Sequence, residues 1–131
     1  FIPTGGISEE GTSGLYGQGE VPPPYPRLLK RLRESCHEQG FSPHEGLIWT
    51  TDAPHRETPE KIARFRRLGA MAVDMEFTAL TAVAVFHKIR FAALMVVSDE
   101  NFREKARTGF QSRIFRERLR RASEAVIRAA D

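Results

Sequence analysis

The sequence predicts an α/β fold in which a central mixed, largely parallel sheet is flanked by helices. Three observations carry that expectation. Short apolar runs alternate with segments of helical periodicity along the chain. The run at residues 91–97 is apolar throughout, the pattern of a strand covered on both faces. Glycine and proline stand where helices close and open.

Residues 2–7 read as a short strand that runs into a glycine-rich loop. From Ser8 to Tyr25 the glycines and the consecutive Pro22, Pro23 and Pro24 predict an irregular, extended path. Pro26 opens a helix with Leu28, Leu29, Leu32 and Cys36 on one face, and Gly40 is placed to cap its end. Residues 46–51 form a compact strand. Thr58, Pro59 and Glu60 open a second helix through a capping hydroxyl and a proline in the first turn. Its apolar face is Ile62, Phe65 and Leu68, and Gly69 closes it.

Residues 70–75 form a short apolar strand. The following helix, 76–86, is apolar nearly all round, which predicts burial between layers. Residues 90–97 are the expected interior strand. A terminal helix over 112–130 is expected to turn Ile114, Phe115, Leu119, Ala122, Val126 and Ile127 inward.

The composition excludes several classes. With 40% hydrophobic and 28% charged residues, the chain is neither a disordered tail nor a fibre. The single cysteine, Cys36, cannot form an internal disulfide or a multi-thiolate metal site, which fits a reducing, cytoplasmic setting. No apolar run approaches the roughly 20 residues of a membrane helix, so no membrane partner is expected. Residues 101–131 carry 9 Lys/Arg against 4 Asp/Glu, whereas residues 1–100 carry 11 against 13. The basic end lacks a nucleic-acid motif and reads as a solvated helix face, so no nucleic-acid partner is expected.

In open α/β sheets, ligands bind beyond the carboxyl ends of the strands. Three such ends carry polar groups here: Thr50-Thr51-Asp52, Asp74-Met75-Glu76 and Ser98-Asp99-Glu100. Carboxylates converging there suit acid–base work and the gripping of vicinal hydroxyls. The same acids also suit helix capping, and the residue pattern leaves both readings open.

The stretch from Gly69 to Glu100 narrows the choice. Its Val73-Asp74-Met75-Glu76 element, followed by an apolar run ending in Ser98-Asp99, resembles the nucleoside phosphorylase and nucleosidase superfamily. Residues 2–6 with Glu10-Gly11-Thr12-Ser13, and Trp49-Thr50-Thr51-Asp52 with Arg56-Glu57-Thr58, resemble the same family in the same order. The resemblance implies that Glu76 accepts hydrogen bonds from the ribose 2′- and 3′-hydroxyls and that Met75 packs on the sugar. Asp74 stands where the family more often has glutamate. Thr50, Thr51 and Asp52 would border the base pocket. Asp99, oriented by Ser98, would act as general acid at a purine base. The Gln and Arg with which pyrimidine-specific relatives read uracil are absent after the Thr50–Asp52 strand end.

The resemblance further implies a pentosyltransferase that cleaves the N-glycosidic bond with phosphate, giving free base and ribose 1-phosphate. A hydrolytic nucleosidase of the same fold and a non-catalytic nucleoside-binding or oligomerisation module are the alternatives. Nucleoside and phosphate are the implied ligands, with no cofactor and no metal, and a homo-oligomer, dimer or hexamer, is implied. The family's glycine-rich phosphate loop and its arginines are not matched. The expectation is therefore that residues 1–131 form the C-terminal portion of one such domain, inactive alone.

Overall fold

The computed structural model describes residues 1–17, 21–100 and 107–130. In chain order the elements are β1 (Ile2–Glu9), α1 (Ser13–Tyr16), α2 (Pro26–Glu38), β2 (Glu45–Thr51), α3 (Pro59–Arg67), β3 (Ala70–Asp74), α4 (Phe77–Phe86), β4 (Asp99–Glu100), β5 (Arg107–Thr108) and α5 (Arg113–Ala130). β1, β2 and β3 form a parallel sheet in that order, with α2 and α3 as the crossovers that parallel pairing requires. The register sets Ser8 opposite Thr50 and Thr50 opposite Asp74, which aligns the carboxyl ends of all three strands. β4 and β5 pair antiparallel as a separate two-stranded ribbon.

Helix boundaries follow the local chemistry. Pro26 and Pro59 open α2 and α3, and the Thr58 hydroxyl accepts the Lys61 N–H at 3.4 Å. Gly40 and Gly69 turn the chain out of those helices at φ of 73° and 92°, as their placement predicts. Between α3 and the sheet, Trp49 stacks on Phe65 with ring centroids 4.2 Å apart, and both are buried. Glu9 ties the same layer, accepting the Trp49 indole N–H at 3.2 Å and pairing with Lys61 Nζ at 2.7 Å.

Four expectations are corrected. The glycine-rich segment contains the one-turn helix α1, and Gly19 lies outside the described residues. Residues 91–98 form no ladder: Phe1 and Met95 exchange both backbone bonds at 2.8 Å, and Tyr25 N–H donates to the Phe91 carbonyl at 2.7 Å. Their apolar character is used elsewhere, since Ala92 and Leu94 pack on the cluster of Ile2, Leu29, Leu32, Cys36, Ala125 and Ala129. That run packs on α2, α5 and Ile2 of β1, and meets the start of β1 through one exchanged pair.

α4 is not buried all round. Its covered side is Phe77, Thr78, Thr81, Ala82 and Ala84, while Leu80, Val85 and Phe86 are half exposed or more. Close approach to β1 selects the small side chains: a Cβ on Gly6 would collide with Thr78 Cγ2 and crowd the Phe77 ring. α5 keeps Ala122 on its covered side as expected but not most of the larger residues. Ala122, Ala125 and Ala129 are buried, whereas Ile114, Leu119, Val126 and Ile127 are exposed. Ser35 Oγ donates to the Ala125 carbonyl at 2.8 Å, which draws α5 against α2 too closely for larger side chains at the seam. Among the described residues no helix is long and apolar enough to cross a membrane.

Candidate active site

The aligned ends of β1, β2 and β3 meet the first turn of α4, and a chain of hydrogen bonds fixes them together. Thr50 is fully buried; its hydroxyl donates to Asp74 Oδ1 at 2.6 Å and accepts the Thr78 N–H at 3.2 Å. The other oxygen of Asp74 accepts the N–H groups of Glu76 and Phe77 at 3.1 and 2.7 Å. Those are amides that the helix itself leaves without partners. Asp74 is thus the cap of α4 in the shape that its short side chain allows. Thr51 is buried, and its hydroxyl accepts the Ala53 N–H at 3.3 Å. Asp52 Oδ2 accepts the Gly11 N–H at 3.2 Å, joining the glycine-rich segment to the end of β2.

A second hub lies at the end of β1. Glu10 accepts the N–H groups of Thr12 and Ser13 at 2.6 and 3.0 Å on Oε2. Its Oε1 accepts the hydroxyls of Ser8 at 2.8 Å and Thr78 at 2.9 Å. Burial works against ionisation, but the bonds from Ser13, Ser8 and Thr78 together outweigh it and hold the carboxyl at about 2. Ser8 and Ser13 hydroxyls also lie 2.8 Å apart. Glu10 entered the sequence reading only as part of the matched Glu10–Ser13 segment, with no role, and Ser8 and Thr78 had none. The available signal was an acid followed at once by Gly11, Thr12 and Ser13, whose backbone and side-chain donors an acid can cap.

The remaining candidates divide in two. Met75 and Glu76 are exposed at the head of α4, and among the described residues the Glu76 carboxylate has no hydrogen-bond or ion-pair partner. Asp74, Glu9 and Glu10 are each held by several bonds from the protein, whereas Asp52, exposed like Glu76, accepts one on Oδ2. Ser98 and Asp99 are not brought to this group. The two-way exchange between Phe1 and Met95 is the antiparallel pattern, so the segment runs against β1 and leads toward the end where β1 begins. There Ser98 Oγ donates to Asp99 Oδ2 at 2.8 Å, and the Ser98 carbonyl accepts the Gly109 N–H at 2.6 Å. Asp99 pairs with Thr108 in the ribbon. No described hydrogen bond or ion pair links Asp99 to the strand ends.

Cys36 is buried, and burial pushes its thiol up, away from nucleophilic use. Among the described residues no group of His, Cys, Asp or Glu is placed to hold a metal ion. The arrangement sets an exposed carboxylate, free among the described residues, at the strand ends, with two acceptor oxygens that paired hydroxyl donors would match.

An α/β chain with a parallel sheet and a carboxylate offered at its carboxyl edge is the class so defined. The family description of the phosphorylase superfamily matches residues 1–130, and the chain belongs to that superfamily. A DeoD-type purine nucleoside phosphorylase from Bacillus cytotoxicus is 30% identical over 101 residues, covering 76% of this chain and 43% of that protein. One from Clostridium perfringens is 30% identical over 73 residues, 56% of this chain and 31% of that protein. The crystal structure of AMP nucleosidase from Bacteroides thetaiotaomicron aligns with a TM-score of 0.72 and 29% identity, covering 96% of this chain and 53% of that one. The chain spans about half the length of that nucleosidase and less than half of these phosphorylases.

Proposed function

We propose that the protein cleaves the N-glycosidic bond of a purine ribonucleoside and that this chain supplies the ribose side of the site. The observation that carries the reading is the free Glu76 carboxylate on a helix start locked by Thr50 and Asp74. Its two oxygens match the two donors of a ribose cis-diol, and Met75 beside it offers an apolar surface for the sugar. A diol held this way fixes C1′ for in-line attack, and the carboxylate's charge favours the positive character that the sugar gains as the base departs.

In the phosphorolytic form, a phosphate oxygen bonds to C1′ as the C1′–N9 bond breaks. The electron pair leaves with the purine, which takes a proton at N7. In this reading the proton comes from solvent, because Asp99, to which the sequence resemblance assigns it, stands in the β4–β5 ribbon away from the strand ends. The phosphate-binding part falls, in this reading, in the portion of the relatives' length that the chain does not span. The purine preference is supported by the DeoD-type relatives and by the absence of the uracil-reading pair after β2. Nucleoside and phosphate are then the substrates and no cofactor takes part.

A hydrolytic reading, with water in place of phosphate, is favoured by one observation, the likeness to AMP nucleosidase over nearly the whole chain. Base release from inosine, adenosine and AMP by the full-length protein, with and without phosphate, separates the two. Release that requires phosphate supports phosphorolysis; equal release without it supports hydrolysis; no release from any substrate ends the reading.

A further inference from the structure

We infer that Glu10 is a positioning residue for the ribose-binding carboxylate, acting through the first turn of α4; the inference rests on the ribose role proposed for Glu76. Glu10 bridges two pieces of backbone far apart in sequence. One oxygen gathers the amides of Thr12 and Ser13 at the start of α1, and the other takes the Thr78 hydroxyl at 2.9 Å. Thr78 is two residues beyond Glu76, and its own N–H is held by Thr50. The head of α4 is therefore clamped from β1 by Glu10, from β2 by Thr50 and from β3 by Asp74.

The two sides of the clamp at Glu10 require a carboxylate. The groups bonded to it serve as donors, among them two amides and the hydroxyls of Ser8 and Thr78. A glutamine keeps one acceptor oxygen but turns an NH2 donor toward either the amides or the hydroxyls, so one side of the bridge opens. Gly6 leaves no slack on the sheet side, because Thr78 Cγ2 and the Phe77 ring already fill the space above it. Released from Glu10, the first turn of α4 would move outward and carry Glu76 with it.

The test is steady-state kinetics of the full-length protein with inosine and with 2′,3′-dideoxyinosine, which has no diol for Glu76. Glu10→Gln should raise KM for inosine about tenfold, a modest misplacement of a binding group, and leave KM for the dideoxy substrate unchanged. An equal rise for both substrates, or no rise for either, overturns the inference. Glu76→Ala with unchanged KM for inosine would instead show that the ribose reading is at fault. Amide hydrogen exchange gives a readout independent of activity. Faster exchange at Thr12, Ser13 and Thr78 in Glu10→Gln is expected, and exchange equal to wild type overturns the clamp itself.

Discussion

The Thr50 hydroxyl and Asp74 Oδ1 lie 2.6 Å apart, and the same hydroxyl accepts the Thr78 amide. Two parallel strands and the following helix thereby share one oxygen atom. Thr50→Val keeps the shape and removes that oxygen, leaving a carboxylate oxygen and a buried amide without this partner. The expected loss is about 1–3 kcal/mol, read from urea unfolding midpoints. Thr50→Ser retains the hydroxyl and should cost about 1 kcal/mol, the value of the missing methyl group. Equal losses for the two variants would show that packing, not the hydrogen bonds, sets the effect.

The α2–α5 seam makes a prediction opposite to the one hydrophobicity suggests. Ala125 is 0% exposed and Ile127 is 64% exposed. Enlarging the alanine, Ala125→Leu, should destabilise by about 1–3 kcal/mol through overpacking. Ile127→Lys, on the open side, should stay within about 0.5 kcal/mol of the parent. Thermal unfolding of both variants checks the orientation of α5. A reversed ranking would place the isoleucine inward.

Acid sensitivity should trace to Glu10. Its carboxyl is lowered from 4.5 to about 2 in the folded chain, so the unfolded chain binds more protons between those values. The stabilisation is complete above pH 4.5 and is lost as pH falls toward about 2. Glu45 acts in the same direction because hydrogen bonds from the Arg33 guanidinium, at 2.6–3.0 Å, lower its carboxyl. Urea midpoints followed from neutral to acid pH should fall more steeply for the parent than for Glu10→Gln, with the two curves approaching each other at the acid end. Parallel curves would remove Glu10 from the acid response.

Much of the fold was legible because local rules and packing agree. Pro26, Pro59, Thr58, Gly40 and Gly69 mark helix ends by their own backbone chemistry, which tertiary structure leaves intact. The misreadings share a different cause. Residues 91–97, α4 and α5 were read from apolar content, which says that a surface is covered but not by what. Helix contacts take up Ala92 and Leu94 in place of a ladder, and close helix approach favours Thr78, Thr81 and Ala125 over the larger neighbours that periodicity selects.

The site was legible to a similar depth. Thr50, Thr51, Asp52 and Asp74 stand at strand ends as expected; hydrogen bonds turn Thr50, Thr51 and Asp74 toward the protein, while Asp52 is exposed. Whether a carboxylate is spent on a cap or left for a ligand depends on which amides face it, and composition does not record that. The role of Glu10 was not legible for the same reason, since its partner Thr78 lies 68 residues away.

The central claim is that Glu76 holds the ribose diol. It is tested most directly by comparing Glu76→Ala with the parent full-length protein on inosine and 2′,3′-dideoxyinosine. Each charge-assisted hydrogen bond is worth about 1.5–3 kcal/mol. Losing a pair should lower kcat/KM for inosine by about 100-fold or more, at 1.4 kcal/mol per tenfold. Cleavage of the dideoxy substrate should change little. A variant that cleaves inosine as efficiently as the parent, or loses both substrates equally, would contradict the account.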